Sequence, residues 1–217
     1  FTISDTSLAT VTGSTVSIVA AGITIATVSQ TADSKYLPAT ATMTLTINKA
    51  NPTIVFNDVT KNFGDVDFDL IASSNSSGVF SFTVSDTSVA TVISSTITII
   101  GGGSTIITLN QAEVNNFNAG VATMTLTVNK ASISITFDDL TKTYGDPNFE
   151  FTATSSSTGV FSFTISNTSI ATMVDSTTAS IAAVGTSTVE VQQAADDNYN
   201  SSTATMILTV IKADPTI

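Results

Sequence analysis

The sequence predicts an all-β protein built of small antiparallel β-sandwich domains arranged end to end. Three observations lead there. The chain repeats itself at a spacing of 81 residues. Within each repeat, apolar and polar residues alternate with the period of two that a half-buried strand requires. Clusters of Gly, Ser and Asn interrupt the alternation roughly every 8 to 12 residues, the spacing of strands in a sandwich.

The repeat sets the domain plan. Phe1, Phe82 and Phe163 open "FTISDTSLATV", "FTVSDTSVATV" and "FTISNTSIATM" and stand 81 residues apart. Phe56 matches Phe137, Gly64 matches Gly145 and Gly78 matches Gly159 at the same spacing. Lys49 matches Lys130, and Lys212 follows Lys130 at 82. The extra residue falls between Met173 and Gly185, in "VDSTTASIAAV", which marks that segment as a hairpin tip because turns tolerate insertions. Domains are therefore expected at residues 50–130 and 131–212. Residues 1–49 read as the back part of an earlier domain, and residues 213–217 as the start of the next, since "ADPTI" repeats the "ANPTI" of residues 50–54. The expectation is a window on a longer array. Residues 1–49 lack the strands equivalent to 52–56 and 67–74, so their core should be open on one side. Were Phe1 the true start, another chain would have to donate those strands.

Each repeat reads as strands. "VATMTLTVNK" places Ala122, Met124, Leu126 and Val128 on one face and Thr123, Thr125 and Thr127 on the other. "VFSFTVSD" does the same with Phe80, Phe82 and Val84. "DVDFDLIA" sets Val66, Phe68 and Leu70 against Asp65, Asp67 and Asp69. About seven strands per repeat fit a small sandwich. The one helical turn is expected at residues 111–116. In the thrice-written stretch, Ser85 to Ser88 should form a turn in which Asp86 or Ser85 accepts hydrogen bonds from backbone N–H groups ahead of it. Its equivalents are Asp5 and Asn167. Asn keeps the turn acceptor and loses the charge, which favours a structural role over acid–base or metal chemistry.

Composition removes whole classes of function. Six Lys+Arg stand against 17 Asp+Glu, for a net charge of −11. This balance argues against nucleic acid and anionic membrane, which need clustered positive charge. Cys and His are both absent, which removes disulfides, thiolate or imidazole metal sites and triads built on His. No apolar run approaches the ~18 residues of a membrane helix, and no charged-then-apolar leader opens the segment. Charged residues make up 11% of the chain, so Ser and Thr must cover the surface.

Two motifs carry a family resemblance. "SDTSVATV…STITIIGGGSTIITL" resembles the group-2 bacterial immunoglobulin-like repeats. "KTYGDPNFEF" and "LTVNKA" resemble the Tyr-Gly-Asp repeats, often described as MBG-type domains, of very long bacterial surface proteins. The resemblance covers essentially the whole chain, once per repeat. It departs at Phe63, which stands where Tyr144 does, and at Phe82 and its equivalents, which replace a Trp of the group-2 pattern. The resemblance implies immunoglobulin-like sandwiches in stalks, adhesins and filaments at the cell surface, and no catalytic residue to carry over. No enzymatic activity is expected.

Several side-chain groups stand out. The acid row Asp65, Asp67 and Asp69, repeated as Asp146, Asn148 and Glu150, is the one candidate for a cation; oxygen ligands of this kind suit calcium. Its bland reading is an edge strand whose charges discourage edge-to-edge pairing. Asp58, Asp138 and Asp139 lie on the preceding turn. Tyr36, Phe117 and Tyr199 recur in a loop and offer either a sugar-stacking surface or packing at the sandwich edge. Thr42, Thr44 and Thr46 form a ladder that would suit ice or glycan binding, or simply an exposed strand. Lys49, Lys130 and Lys212 end each repeat, where they would cap a junction by pairing with an acid of the next unit, or form Lys–Asn isopeptide crosslinks. Asn75, Asn167 and Asn200 match the N-glycosylation pattern, which arises by chance in such sequence. The functional expectation is a stiff extracellular stalk or fibre segment. Its partners would be neighbouring domains and other copies of the chain. A glycan- or surface-binding module and a phage or virion appendage are the alternatives. No other cofactor is expected.

Overall fold

The computed structural model describes residues 1–215, so the last two residues of the 213–217 segment lie outside it. Its regular structure is all β, with 21 strands and no helix among the described residues. The three stretches 1–49, 50–130 and 131–212 are called units below. Two separate buried cores form, one within residues 50–130 and one within 131–212.

The second unit shows how the alternation becomes a sandwich. One sheet runs Phe80–Val84, Gly103–Gln111, Gly120–Asn129 and Val59–Asn62 in spatial order. The other runs Ala90–Ile93, Thr96–Ile99 and Phe68–Asp69. Ile54–Val55 pairs separately with Ser73–Ser74, and the distribution of the remaining strands over two sheets is that of an immunoglobulin-like fold. The third unit repeats it, with Leu140–Thr143, Ser202–Ile211, Gly185–Gln193 and Phe161–Ile165 facing Phe149–Glu150, Thr178–Ile181 and Ala171–Met173. Ile107 opposes Met124 and Leu109 opposes Phe82 in register. Ile107, Leu109 and Leu126 are fully buried. Burying each such side chain contributes about 1.5–3 kcal/mol, and this is the main term holding each sandwich.

Pairing is not wholly antiparallel. Val59–Asn62 lies parallel to Leu126–Asn129, with Thr60 opposite Thr127. Leu140–Thr143 lies parallel to Leu208–Ile211 in the same way. Opening strands thereby cover the edge of each unit's last strand, which would otherwise present unpaired backbone groups. Asp58 and Asp139 fix the entry to this pairing, since their carboxylates accept Thr125 N–H and Ile207 N–H, both at 2.7 Å.

Two local expectations fail. Residues 111–116 make no helical turn: the strand ends at Gln111, and the loop beyond is closed by a Val114–Phe117 backbone pair. In the acid row, Phe68 and Leu70 turn inward but Val66 is 82% exposed, because the strand proper starts only at Phe68. The expected hairpin tip is present. A two-residue loop joins Ile93 to Thr96, whereas Asp175 to Thr177 join Val174 to Thr178. The Asp175 carboxylate accepts Thr177 N–H and Thr178 N–H, which closes the longer loop and holds its pKa below the usual carboxylate range.

The thrice-written stretch forms an arch between sheets. Asp86 Oδ1 accepts Ser88 N–H at 2.9 Å and Ser88 O–H at 2.6 Å. Buried Thr105 pins the arch from the facing strand by accepting Asp86 N–H at 2.9 Å. Asp5 with Thr24 and Asn167 with Ser187 repeat the device.

Candidate functional site

The acid row does not converge. Asp65 belongs to a tight turn: its carboxylate accepts Asn62 N–H at 2.9 Å while its own N–H donates to Asn62 C=O at 3.1 Å. Gly64, at φ 91°, supplies the left-handed third position of that turn. Asp146 and Gly145 do the same around Thr143. Asp67 and Asp69 accept the hydroxyls of Thr98 and Thr96 at 2.9 and 2.6 Å. Lys61 lies 4.8 Å from the Phe68 ring centroid and Lys142 lies 5.0 Å from that of Phe149, so ammonium groups already sit beside the row. Asn148 and Glu150 are exposed. Among the described residues no group of three acidic side chains is disposed to hold a metal ion.

The Thr ladders and loop aromatics part company. Thr42, Thr44 and Thr46 are exposed, as are Thr123 and Thr125, whereas Thr127, the equivalent of Thr46, is partly covered by the parallel strand. Tyr36 is 69% exposed. Phe117 and Tyr199 are half-buried, and Tyr199 meets Phe63 edge-on with centroids 5.4 Å apart.

The first unit exposes a face that the other two cover. Met43 is 60% exposed where Met124 and Met206 are 3% exposed. Phe1, Ala26, Val28 and Met43 line a shallow apolar cleft of about 140 Å³ on the uncovered face.

The most organised constellation lies where units meet, and it occurs twice. Asn116 Oδ1 accepts Ala21 N–H at 2.9 Å, and Asn198 Oδ1 accepts Gly102 N–H at 2.9 Å. Ala21 and Gly102 are equivalent positions, as are Asn116 and Asn198. Lys49 Nζ donates to Val114 C=O at 3.0 Å and forms an ion pair with Glu113. Lys130 Nζ donates to the equivalent carbonyl, that of Asp196, at 2.6 Å. The expected pairing of these lysines with an acid thus holds at Lys49, while Lys130 pairs with backbone. The linkers are tied to the same loops. Ala50 N–H donates to Asn116 C=O and Ala50 C=O accepts Asn118 N–H; Ala131 is held identically by Asn198 and Asn200. Close approach is built in at Gly102, where a Cβ would stand 2.6 Å from Asp197 C=O.

Asp196 anchors the third unit's junction loop. Its carboxylate accepts from Ser157 O–H, Thr158 N–H, Asn198 N–H and Tyr199 N–H, and these bonds, that from Ser157 first, hold its pKa well below the usual range.

No protein-family model matches the sequence. No curated protein matches it. Among solved structures, the chain is similar to human protocadherin-24 EC1-2, with 9% identity, a TM-score of 0.32, 77% of this chain covered and 100% of that one. It is similar to the titin domains z1z2 in complex with telethonin, with 15% identity, a TM-score of 0.34, and 77% and 100% covered. It is also similar to domains 4 and 5 of the S-layer protein SbsC, with 13% identity, a TM-score of 0.32, and 76% and 99% covered. Likenesses at this level carry no functional argument, and the fold assignment rests on the chain's own sheets.

Sequence reasoning passed over two asparagines and two glutamines. Asn116 and Asn198 recur at the 82-residue spacing, but Lys35 occupies the position in the first repeat and hides the pattern. Gln111 and Gln193 are buried. Gln111 Oε1 accepts Ser74 O–H, and its Nε2 donates to Ser76 C=O and Gly78 C=O. Gln193 repeats this with Ser155, Ser157 and Gly159. Gln at a strand's polar end reads as surface, so only the recurrence could have flagged it.

Proposed function

We propose that the chain is a stiff spacer segment of an extracellular surface protein, a stalk or fibre of the MBG-type and group-2 immunoglobulin-like kind. Its domains would be residues 50–130 and 131–212, preceded by part of another. One observation carries the reading: the linkers at Ala50 and Ala131 have no free length. Each is held by two backbone hydrogen bonds to a loop whose asparagine also grips the preceding unit. An array joined in this way transmits orientation from one unit to the next, which suits projection of a tip. The acidic, Ser- and Thr-rich β composition fits a location outside the cell. No described helix is long and apolar enough to cross a membrane.

The test is in the parent cell. Deleting residues 50–130 joins Lys49 to Ala131 and regenerates the junction chemistry. Electron microscopy should show a projection shortened by one unit, still labelled by antibody on intact cells. Unchanged reach, or absence of surface labelling before the deletion, would overturn the reading.

A further inference from the structure

The far end of the third unit carries an unfilled copy of the junction seat. Val184 is the equivalent of Ala21 and Gly102. The two residues before it, Ala182 and Ala183, donate their N–H groups to Ile170 C=O, as Ile100 and Gly101 do to Val89 C=O. The next N–H, that of Val184, has no acceptor among the described residues, whereas Gly102 N–H has Asn198. Tyr144 is the equivalent of Phe63, which packs on Tyr199; Tyr144 is 51% exposed and meets no aromatic ring among the described residues. Lys212 is the equivalent of Lys49 and Lys130, and its ammonium likewise has no partner among the described residues.

We propose that Val184 N–H, the Tyr144 ring and the Lys212 ammonium form a docking surface for one kind of partner. That partner is an immunoglobulin-like unit bearing an Asn-aromatic loop, as Asn116-Phe117 and Asn198-Tyr199 do. This deepens the spacer reading and rests on it. The asparagine carbonyl accepts Val184 N–H, the aromatic ring meets Tyr144, and a carbonyl two residues before the asparagine accepts from Lys212. At the first junction the seat admits a methyl group, since Ala21 occupies it while bonded to Asn116, whereas at Gly102 a Cβ would crowd Asp197 C=O; a partner on Val184 must therefore present its loop as the first junction does. A second copy of this chain does not suit the seat. Its own leading loop presents Lys35 at the asparagine position, and an ammonium group offers only donors to a backbone N–H.

Amide hydrogen exchange read by NMR tests this. In the protein as it stands, Gly102 N–H should exchange slowly and Val184 N–H fast. Asn198→Ala should release Gly102, which verifies the internal junction separately. Residues 131–212 are then appended after Lys212, so that the added loop presents its own asparagine and tyrosine. Val184 N–H should slow by about tenfold or more, and alanine at the added asparagine should abolish the gain. Unchanged Val184 exchange in the extended chain, or an added unit that fails to fold there, overturns the proposal. If the Gly102 result holds meanwhile, the spacer reading survives. Protection of Val184 that rises with concentration in the unextended protein would assign the seat to a second copy and overturn the stated partner.

Discussion

Asn198 Oδ1 accepts the Gly102 backbone N–H at 2.9 Å, joining two sandwiches whose cores share no side chain. The bond is one of a repeated set. Where units share a device, each supplies the other's control.

Gln193→Ala should destabilise the third unit by about 2 kcal/mol, because the fully buried Gln193 amide bridges the part-buried Ser157 and Gly159 carbonyls and its loss leaves both unpaired. Gln30→Ala, at the exposed equivalent position in the first unit, should change stability by less than about 0.5 kcal/mol. In a Tyr36→Phe background, tyrosine fluorescence during urea unfolding reads the third unit through Tyr144 and Tyr199, since the second unit contains no Tyr or Trp, and hydrogen exchange reads the first.

Met124→Ala should cost about 2–5 kcal/mol in the second unit, the usual range for emptying a filled core site. Met43→Ala should cost far less, because Met43 is already 60% exposed on the uncovered face of the first unit. Hydrogen exchange resolved by unit separates the two.

Gly159→Ala should destabilise the third unit by more than about 3 kcal/mol. The added Cβ would stand 1.9 Å from Ala194 C=O, so backbone must move. The same holds for Gly78 against Ala112. Gly13→Ala meets no atom within 4 Å and costs only its left-handed φ of 64°. Comparing melting temperatures of the three variants checks the order.

Acid should weaken the arch that contains Asp86. Bonds from the Ser88 hydroxyl and then Ser88 N–H lower its pKa from the ordinary 3.8. A depressed carboxyl contributes stability that is fully present above its unfolded pKa and is lost as pH falls through the folded value. Stability should therefore fall below about pH 4. Asp86→Asn should be nearly neutral at pH 7, as Asn167 already serves the same turn, and should flatten the acid loss. Urea midpoints at pH 7 and pH 2.5, compared between protein and variant, decide it; parallel loss in both would refute the assignment.

Calcium should not shift the melting temperature, nor should EDTA. The oxygens of Asp65, Asp67, Asp69 and Asp146 already serve turns and threonine hydroxyls. A rise of several degrees on calcium addition would show that the row rearranges around an ion.

Sandwich architecture was legible because it depends on period-two burial and turn residues, both local properties. Met124, Leu126 and Val128 alternate as they must to line a core. The arch was legible too, since Asp5, Asp86 and Asn167 form a natural experiment on the turn acceptor. Junction contacts were not. Asn116 lies 95 residues from Ala21, and its partner is a backbone N–H, which has no sequence signature. Gln111 was hidden for the same reason, as its Nε2 bonds two carbonyls. The parallel pairing of Val59–Asn62 escaped because register between distant strands depends on loop geometry as well as pattern.

A spacer of this kind needs units that are welded rather than tethered. The chain contains no Cys, so Thr83→Cys and Thr164→Cys, both at exposed strand positions in successive units, place two nitroxide labels cleanly. Pulsed electron–electron double resonance then reads the distance between them. Welded units should give a single narrow distribution that broadens in Asn198→Ala. A broad distribution in the unmodified junction, of the kind a flexible linker gives, would contradict the weld.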